Sequence, residues 1–155
     1  MGNRGKVYFE QNGKLSCGAY LHWNGGIESI WAFVEEFNRR GYGHEPSYNI
    51  ARFVQVVGDF FDHNGFGGLS LGVVAPCKLD EKSLSRVEED TGVFILGWDD
   101  NKKKFTIIKW FIYGTFVETE KLEKELESAK NHEYNTGDKT IADMFKMQKI
   151  VVDSK

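Results

Sequence analysis

The spacing of hydrophobic positions switches between period two and period 3.6 along this chain, and the switches predict its elements. Val7, Tyr8 and Phe9 form a β-prone run that stops at Asn12-Gly13, the dipeptide that most strongly signals a tight hairpin. The next run alternates, with Leu15, Cys17, Ala19, Leu21 and Trp23 on one face and Ser16, Gly18, Tyr20 and His22 on the other. The two runs predict an antiparallel hairpin. After Gly25-Gly26 the period lengthens: Ile27, Ile30, Trp31, Val34 and Phe37 mark one face of a helix that Gly41 is placed to stop. In this reading Gly25 or Gly26 takes a positive φ and Asn24 caps the helix.

Pro46-Ser47 opens a second amphipathic helix, with Ile50, Phe53, Val54, Val57, Phe60 and Phe61 on one side and Asn64-Gly65 at its end. A short apolar strand from Leu69 to Ala75 follows. Next comes a charged connector from Leu79 to Asp90, with room for a helical turn. Gly92–Trp98 and Lys104–Trp110 flank a polar turn and read as a second hairpin. Thr119 starts a third helix with a narrow stripe of Leu122, Leu126 and Ala129, and Thr140-Ile-Ala-Asp143 suggests the start of a last short one, with Ile141, Met144, Phe145 and Gln148 along one side. The fold class expected is α+β: a single domain with an antiparallel sheet packed against two amphipathic helices. Residues 1–118 form the core domain and 119–155 a C-terminal helical appendage of it. Trp31, Val34, Phe53, Val57 and Phe60 should pack against Leu21 and Ile95.

Composition narrows the partners. The 155 residues are 41% hydrophobic and 28% charged, an ordinary globular balance. The net charge of −3 supplies no global basic field for a nucleic-acid backbone, so direct nucleic-acid binding is not expected. Twelve Phe, six Tyr and four Trp exceed what a modest core needs and can also serve as interface anchors. No apolar run approaches a membrane span or a signal peptide, so no membrane partner is expected and the expected location is the cytoplasm. Cys17 and Cys77 read as reduced, buried small hydrophobes.

Chemistry concentrates at Tyr20-Leu21-His22-Trp23-Asn24-Gly25-Gly26, where a strand hands over to a helix. His22 could act as acid or base with Asn24 orienting it, but turn geometry alone accounts for the Asn and both Gly. Asp59, Asp62 and His63 crowd the end of the second helix, where acidic groups oppose the helix dipole. They read either as a polar stripe or, with His22 and Asn24, as a metal or acid/base set. The soft ligands Cys17, His22, His44, His63, Cys77 and His132 form no paired spacing, so no metal and no cofactor are implied. Gly65-Phe66-Gly67-Gly68 lacks the Lys-Ser/Thr of a P-loop, and Ser16 and Ser70 lack nucleophile-elbow spacing. Lys102-Lys103-Lys104 sits at a hairpin tip and reads as a solvated run. Asp80, Glu81, Glu88, Glu89 and Asp90 make an acidic surface suited to a basic groove.

Met1-Gly2-Asn3-Arg4, Tyr20–Gly26 with Glu28-Ser29 and Ala32-Phe33, Ala51-Arg52, Gln55–Gly58 and Phe60-Phe61 together resemble a family of small, uncharacterised proteins of phages, prophages and other bacterial mobile elements. Gly68–Gly72 and Asp90–Trp98 extend the resemblance, which spans residues 1–98. It brings no reaction, cofactor or catalytic residue with it. It implies a setting in which many small proteins, anti-CRISPR proteins among them, bind and inhibit host defence machinery. The functional expectation is a non-enzymatic binding protein. Tyr20, His22, Trp23, Asn24, Glu88, Glu89 and Asp90 would meet a host protein, such as a Cas-type nuclease or its nucleic-acid groove. The alternative is a small metal-dependent or His/Asp-based hydrolase using His22, Asn24, Asp59 and His63. Oligomeric state stays open.

Overall fold

The computed structural model describes residues 3–65, 67–72, 80–131, 135–136 and 139–140. Strands β1 (Gly5–Gln11), β2 (Lys14–Leu15) and β3 (Gly18–Leu21) come first, then helices α1 (Ile27–Arg39) and α2 (Pro46–Asn64). Strand β4 (Leu69–Gly72), the single turn α3 (Glu81–Ser85), the hairpin β5 (Val93–Asp99) and β6 (Lys104–Ile112), β7 (Thr115–Phe116) and α4 (Thr119–Asn131) follow. Two further two-residue strands, Asn135–Thr136 and Lys139–Thr140, pair with each other. Among the described residues no helix is long and apolar enough to cross a membrane.

The protein is a single α+β domain, as its pattern predicts, and its sheet runs β4-β3-β1-β5-β6-β7, with β2 paired to β1. The sheet is mixed rather than purely antiparallel. At its centre β1 and β5 run parallel, Lys6 beside Val93 and Phe9 beside Leu96, while every other pairing is antiparallel. The physical reason lies in β1 itself, where Val7, Tyr8 and Phe9 are all buried. A strand apolar on both faces must be covered on both, and it takes the middle of a sheet.

One face carries the main core. There Val7, Phe9, Ala19, Leu21, Phe94 and Leu96 meet Ile30, Phe33, Val34 and Phe37 of α1 and Ile50, Phe53, Val57 and Phe60 of α2. Leu122 and Leu126 of α4 join the same cluster. Its rings pack mostly edge to face: Phe9 lies 6.0 Å from Phe53, and Phe33 lies 5.4 Å from Phe60. Such contacts add about 0.5–1.5 kcal/mol each to the burial itself. The opposite face is smaller, with Tyr8, Val93, Ile95 and Phe111 under Leu84 of α3. Ile95 therefore faces away from the helices it was expected to meet, and Trp31 is only partly buried at the rim of the main core.

The second strand also departs from its pattern. It breaks at Ser16-Cys17, where the buried Ser16 hydroxyl accepts from the Phe9 nitrogen at 2.9 Å and Cys17 turns outward. Ala19 and Leu21 keep the inward alternation. The strand past Gly72, Phe66, Cys77, His132 and the last helix from Ile141 lie outside the described residues; Thr140 belongs to one of the two-residue strands.

Candidate functional sites at the two ends of the parallel pair

The parallel pair has an amino end, at Gly5 and Val93, and a carboxyl end, at Gln11 and Asp99. The motif singled out in the sequence folds at the amino end. Gly5 pairs with Leu21, so the chain leaving β3 turns beside Asn3 and Arg4. Asn24 takes φ +56° and its buried amide points to the Ser29 hydroxyl at 3.5 Å. The positive φ expected at a glycine thus belongs to Asn24, a residue type that tolerates it. Asn24 does not cap α1; Gly26 stands at the cap position with no side-chain bond.

The glycines answer to space instead. A Cβ on Gly25 would lie 2.5 Å from the Gly5 nitrogen and 2.6 Å from the Asn3 carbonyl oxygen. The Gly25 nitrogen donates to that carbonyl at 2.8 Å. Thr91 staples the arrangement, its hydroxyl contacting the carbonyl oxygens of Arg4 at 2.8 Å and Gly25 at 2.6 Å. Thr91 was not singled out in the sequence, because nothing local marks it.

On the outer side of this turn Tyr20, His22 and Trp23 form a row. The Tyr20 hydroxyl lies 2.7 Å from His22 Nδ1, and the His22 and Trp23 rings meet edge to face at 5.0 Å. Trp23 is 37% exposed. The row stands beside the acidic stretch. Arg4 donates to Asp90 from Nε at 2.7 Å and from Nη2 at 3.0 Å, and Lys6 Nζ lies 3.7 Å from Glu89. Hydrogen bonds from the Arg4 guanidinium, with its charge, hold the Asp90 carboxyl below its usual range. Glu88 accepts from the Tyr113 nitrogen. The fold thus gathers Tyr20, His22, Trp23, Glu89 and Asp90 at one corner, while Asn24 lies inside it as a buried support of the turn. The corner shows paired charges of both signs rather than a plain acidic face.

Of the alternative set, His22 and Asn24 lie at this corner and Asp59 and His63 on α2. Asp59 receives Arg40 at 2.9 Å, and Asp62 and His63 are exposed on α2. Among the described residues no three His, Cys, Asp or Glu side chains gather as a metal-holding group.

The carboxyl end holds a cleft that local sequence reasoning missed. Its inner part, about 410 Å³, is lined by Glu10, Gln11, Asn12, His44, Trp98 and Asp100, among others. A wider outer part of about 930 Å³ shares Gln11, His44, Trp98 and Phe105 and reaches Tyr42 and Lys103. Two amides frame it. Asn38 of α1 donates to the Phe105 carbonyl at 2.8 Å and accepts from the Phe105 nitrogen at 3.0 Å. Asn49 of α2, 2% exposed, accepts from the His44 nitrogen at 2.7 Å and donates to the His44 carbonyl at 2.8 Å. Gly43 lies so close to Phe105 that a Cβ would meet its ring at 2.9 Å. The connection from α1 to α2 is fixed from both sides.

Compared with protein-family models, with curated proteins and with solved structures, the chain finds no match.

Proposed function

We propose that this protein acts by binding, covering a surface of a larger protein with the corner at the amino ends of β1 and β5. The observation that supports this reading is the placement of Trp23, Tyr20 and Arg4 together at one partly exposed corner. Trp, Tyr and Arg are the residue types in which interface energy concentrates. His22 fits the same reading, since its ring lies between Tyr20 and Trp23 and extends an aromatic row. The paired charges of Arg4, Lys6, Glu89 and Asp90 then serve to orient a partner and reject wrong ones more than to add affinity. In the mobile-element setting that the sequence resembles, the partner is a host defence nuclease of the Cas type, met in the host cytoplasm.

The test is an interference assay in a bacterial host carrying a CRISPR-Cas system, with a thermal melt of each variant. Trp23→Ala is expected to weaken inhibition at least about tenfold without unfolding the protein, as a buried interface anchor would. His22→Ala should retain inhibition within a few-fold. Complete loss of activity in a stably folded His22→Ala that still binds its partner would overturn the binding reading and favour the hydrolase. An acid/base residue contributes about 10²–10⁴-fold to a rate, so the two outcomes are well separated.

A further inference from the structure

The geometry points to a second binding site: we infer that the cleft at the carboxyl ends of β1 and β5 takes a neutral carbohydrate of one or two rings, stacked on Trp98. Trp98 is 51% exposed, yet it is held in place. Its indole nitrogen donates to Asp100 at 3.1 Å, and its ring meets Phe105 edge to face at 5.3 Å. A large apolar ring kept half in water and fixed in orientation is a surface prepared for another flat group.

The surroundings select that group. Asp100 supplies a carboxylate, which only accepts hydrogen bonds, and Gln11 and Asn12 carry amides that both donate and accept, while the Glu10 carboxylate is taken by the Gly13 nitrogen at 2.7 Å. A ligand that meets this set offers many hydroxyl donors around one apolar face, which is the chemistry of a pyranose. A phosphate-bearing ligand is disfavoured in the inner cleft by the Asp100 carboxylate. Among the described residues the lysines of the lining, Lys103 and Lys104, stand on the outer rim, and Lys104 is engaged by Glu35 at 2.6 Å. A volume of about 410 Å³ falls within the usual range for small-molecule sites.

The cleft sits at the carboxyl ends of β1 and β5 and is walled by three connections. Here β1 continues into the Asn12-Gly13 turn, β5 continues into the turn after Asp99, and the connection between α1 and α2 closes the third side. Asn38 and Asn49 hold that third side to the sheet and to α2, so the cleft exists before anything enters it. Preformed sites lose less free energy to ordering on binding.

The experiment titrates the full chain with glucose, galactose, N-acetylglucosamine and maltose, and separately with adenosine and AMP. The readout is the indole N–H resonance of Trp98, assigned by its absence in Trp98→Phe. At least one sugar is expected to shift that resonance saturably, with a dissociation constant on the order of millimolar or tighter. By calorimetry, Trp98→Ala should abolish binding and Gln11→Ala should weaken it about tenfold, the loss of a hydrogen bond or two. Trp23→Ala, at the other end of the sheet, should bind normally. Sugar binding that survives in Trp98→Ala overturns the proposal. So does the absence of saturable binding by every sugar tested, or binding by adenosine or AMP alone.

Discussion

At the amino ends of β1 and β5, side chains hold one another: Arg4 grips Asp90, Lys6 reaches Glu89, and Tyr20 bonds His22. At the carboxyl ends, Asn38 and Asn49 hold backbone, and Trp98, Gln11 and Asp100 line the cleft. The first arrangement makes a corner of paired charges and interlocked rings. The second makes a concavity with a fixed wall. Which end of a sheet becomes a surface and which becomes a pocket is decided here by where the amides and charges are directed, not by how many polar residues each end carries.

The comparison can be broken most sharply at Gly25. Its neighbours are the backbone of Asn3 and Gly5, which cannot step aside as a flexible side chain would. Gly25→Ala should destabilise the protein by about 3 kcal/mol, read as a lower midpoint in chemical denaturation. An unchanged midpoint would mean that the amino-end turn is not clamped. Next in size is Asn49→Ala at the opposite end. It leaves the His44 nitrogen and carbonyl without their partner and should cost about 2 kcal/mol, with faster hydrogen exchange at the His44 amide. Exchange unchanged at His44 would show that packing of Gly43 on Phe105 holds the loop alone.

Acid gives the smallest and most diagnostic difference. Burial alone would raise the Glu36 carboxyl, but hydrogen bonds from Arg39 and Arg40 outweigh it and hold it below its ordinary value of 4.5. Asp90 is likewise held below 3.8 by Arg4. In both, the folded state binds its proton more weakly than the unfolded one. The stability they contribute is therefore present above those values and is lost as pH falls through the lower folded values. Glu36 is 5% exposed and Asp90 lies at the surface, so added salt should erode only the Asp90 share. Thermal melts from neutral pH down to acid, at low and high salt, compare Glu36→Gln with Asp90→Asn. Equal salt sensitivity in the two would contradict this assignment.

Most secondary structure was legible because its signals are local. Asn12-Gly13 forms the predicted turn with φ of +52° and +82°, and Gly65 ends α2 in a left-handed conformation. The 3.6-residue periods of α1, α2 and α4 and the polar turn after Asp99 also stand where spacing put them. The parallel partnership of β1 with β5 was not legible as a pairing, since it joins segments far apart in the chain. Its one trace was the unbroken apolar run Val7-Tyr8-Phe9, which a half-exposed hairpin strand would not carry. The amino-end corner was partly legible, because Tyr20, His22 and Trp23 are neighbours in sequence and Glu89 and Asp90 form a run. Thr91, which joins Arg4 to Gly25, had no such mark. The carboxyl-end cleft takes its walls from separate stretches around residues 11, 44, 49, 98 and 105, and no spacing rule connects them.

Placing β1 beside β5 has a consequence for the order of events when the chain folds. Lys6 cannot find Val93 until everything between them has been synthesised and can be looped back. The loop-closure entropy of that return falls due before its contacts repay it, and folding of such topologies is slow. Until then β1 can make its hairpin with β2 and β3, but its other edge stays open. That edge, bearing the apolar run at Val7, Tyr8 and Phe9, is the part of the nascent chain most exposed to mispairing with another strand. Burying it is the work of β5, so the segment that completes the sheet also closes the window for aggregation.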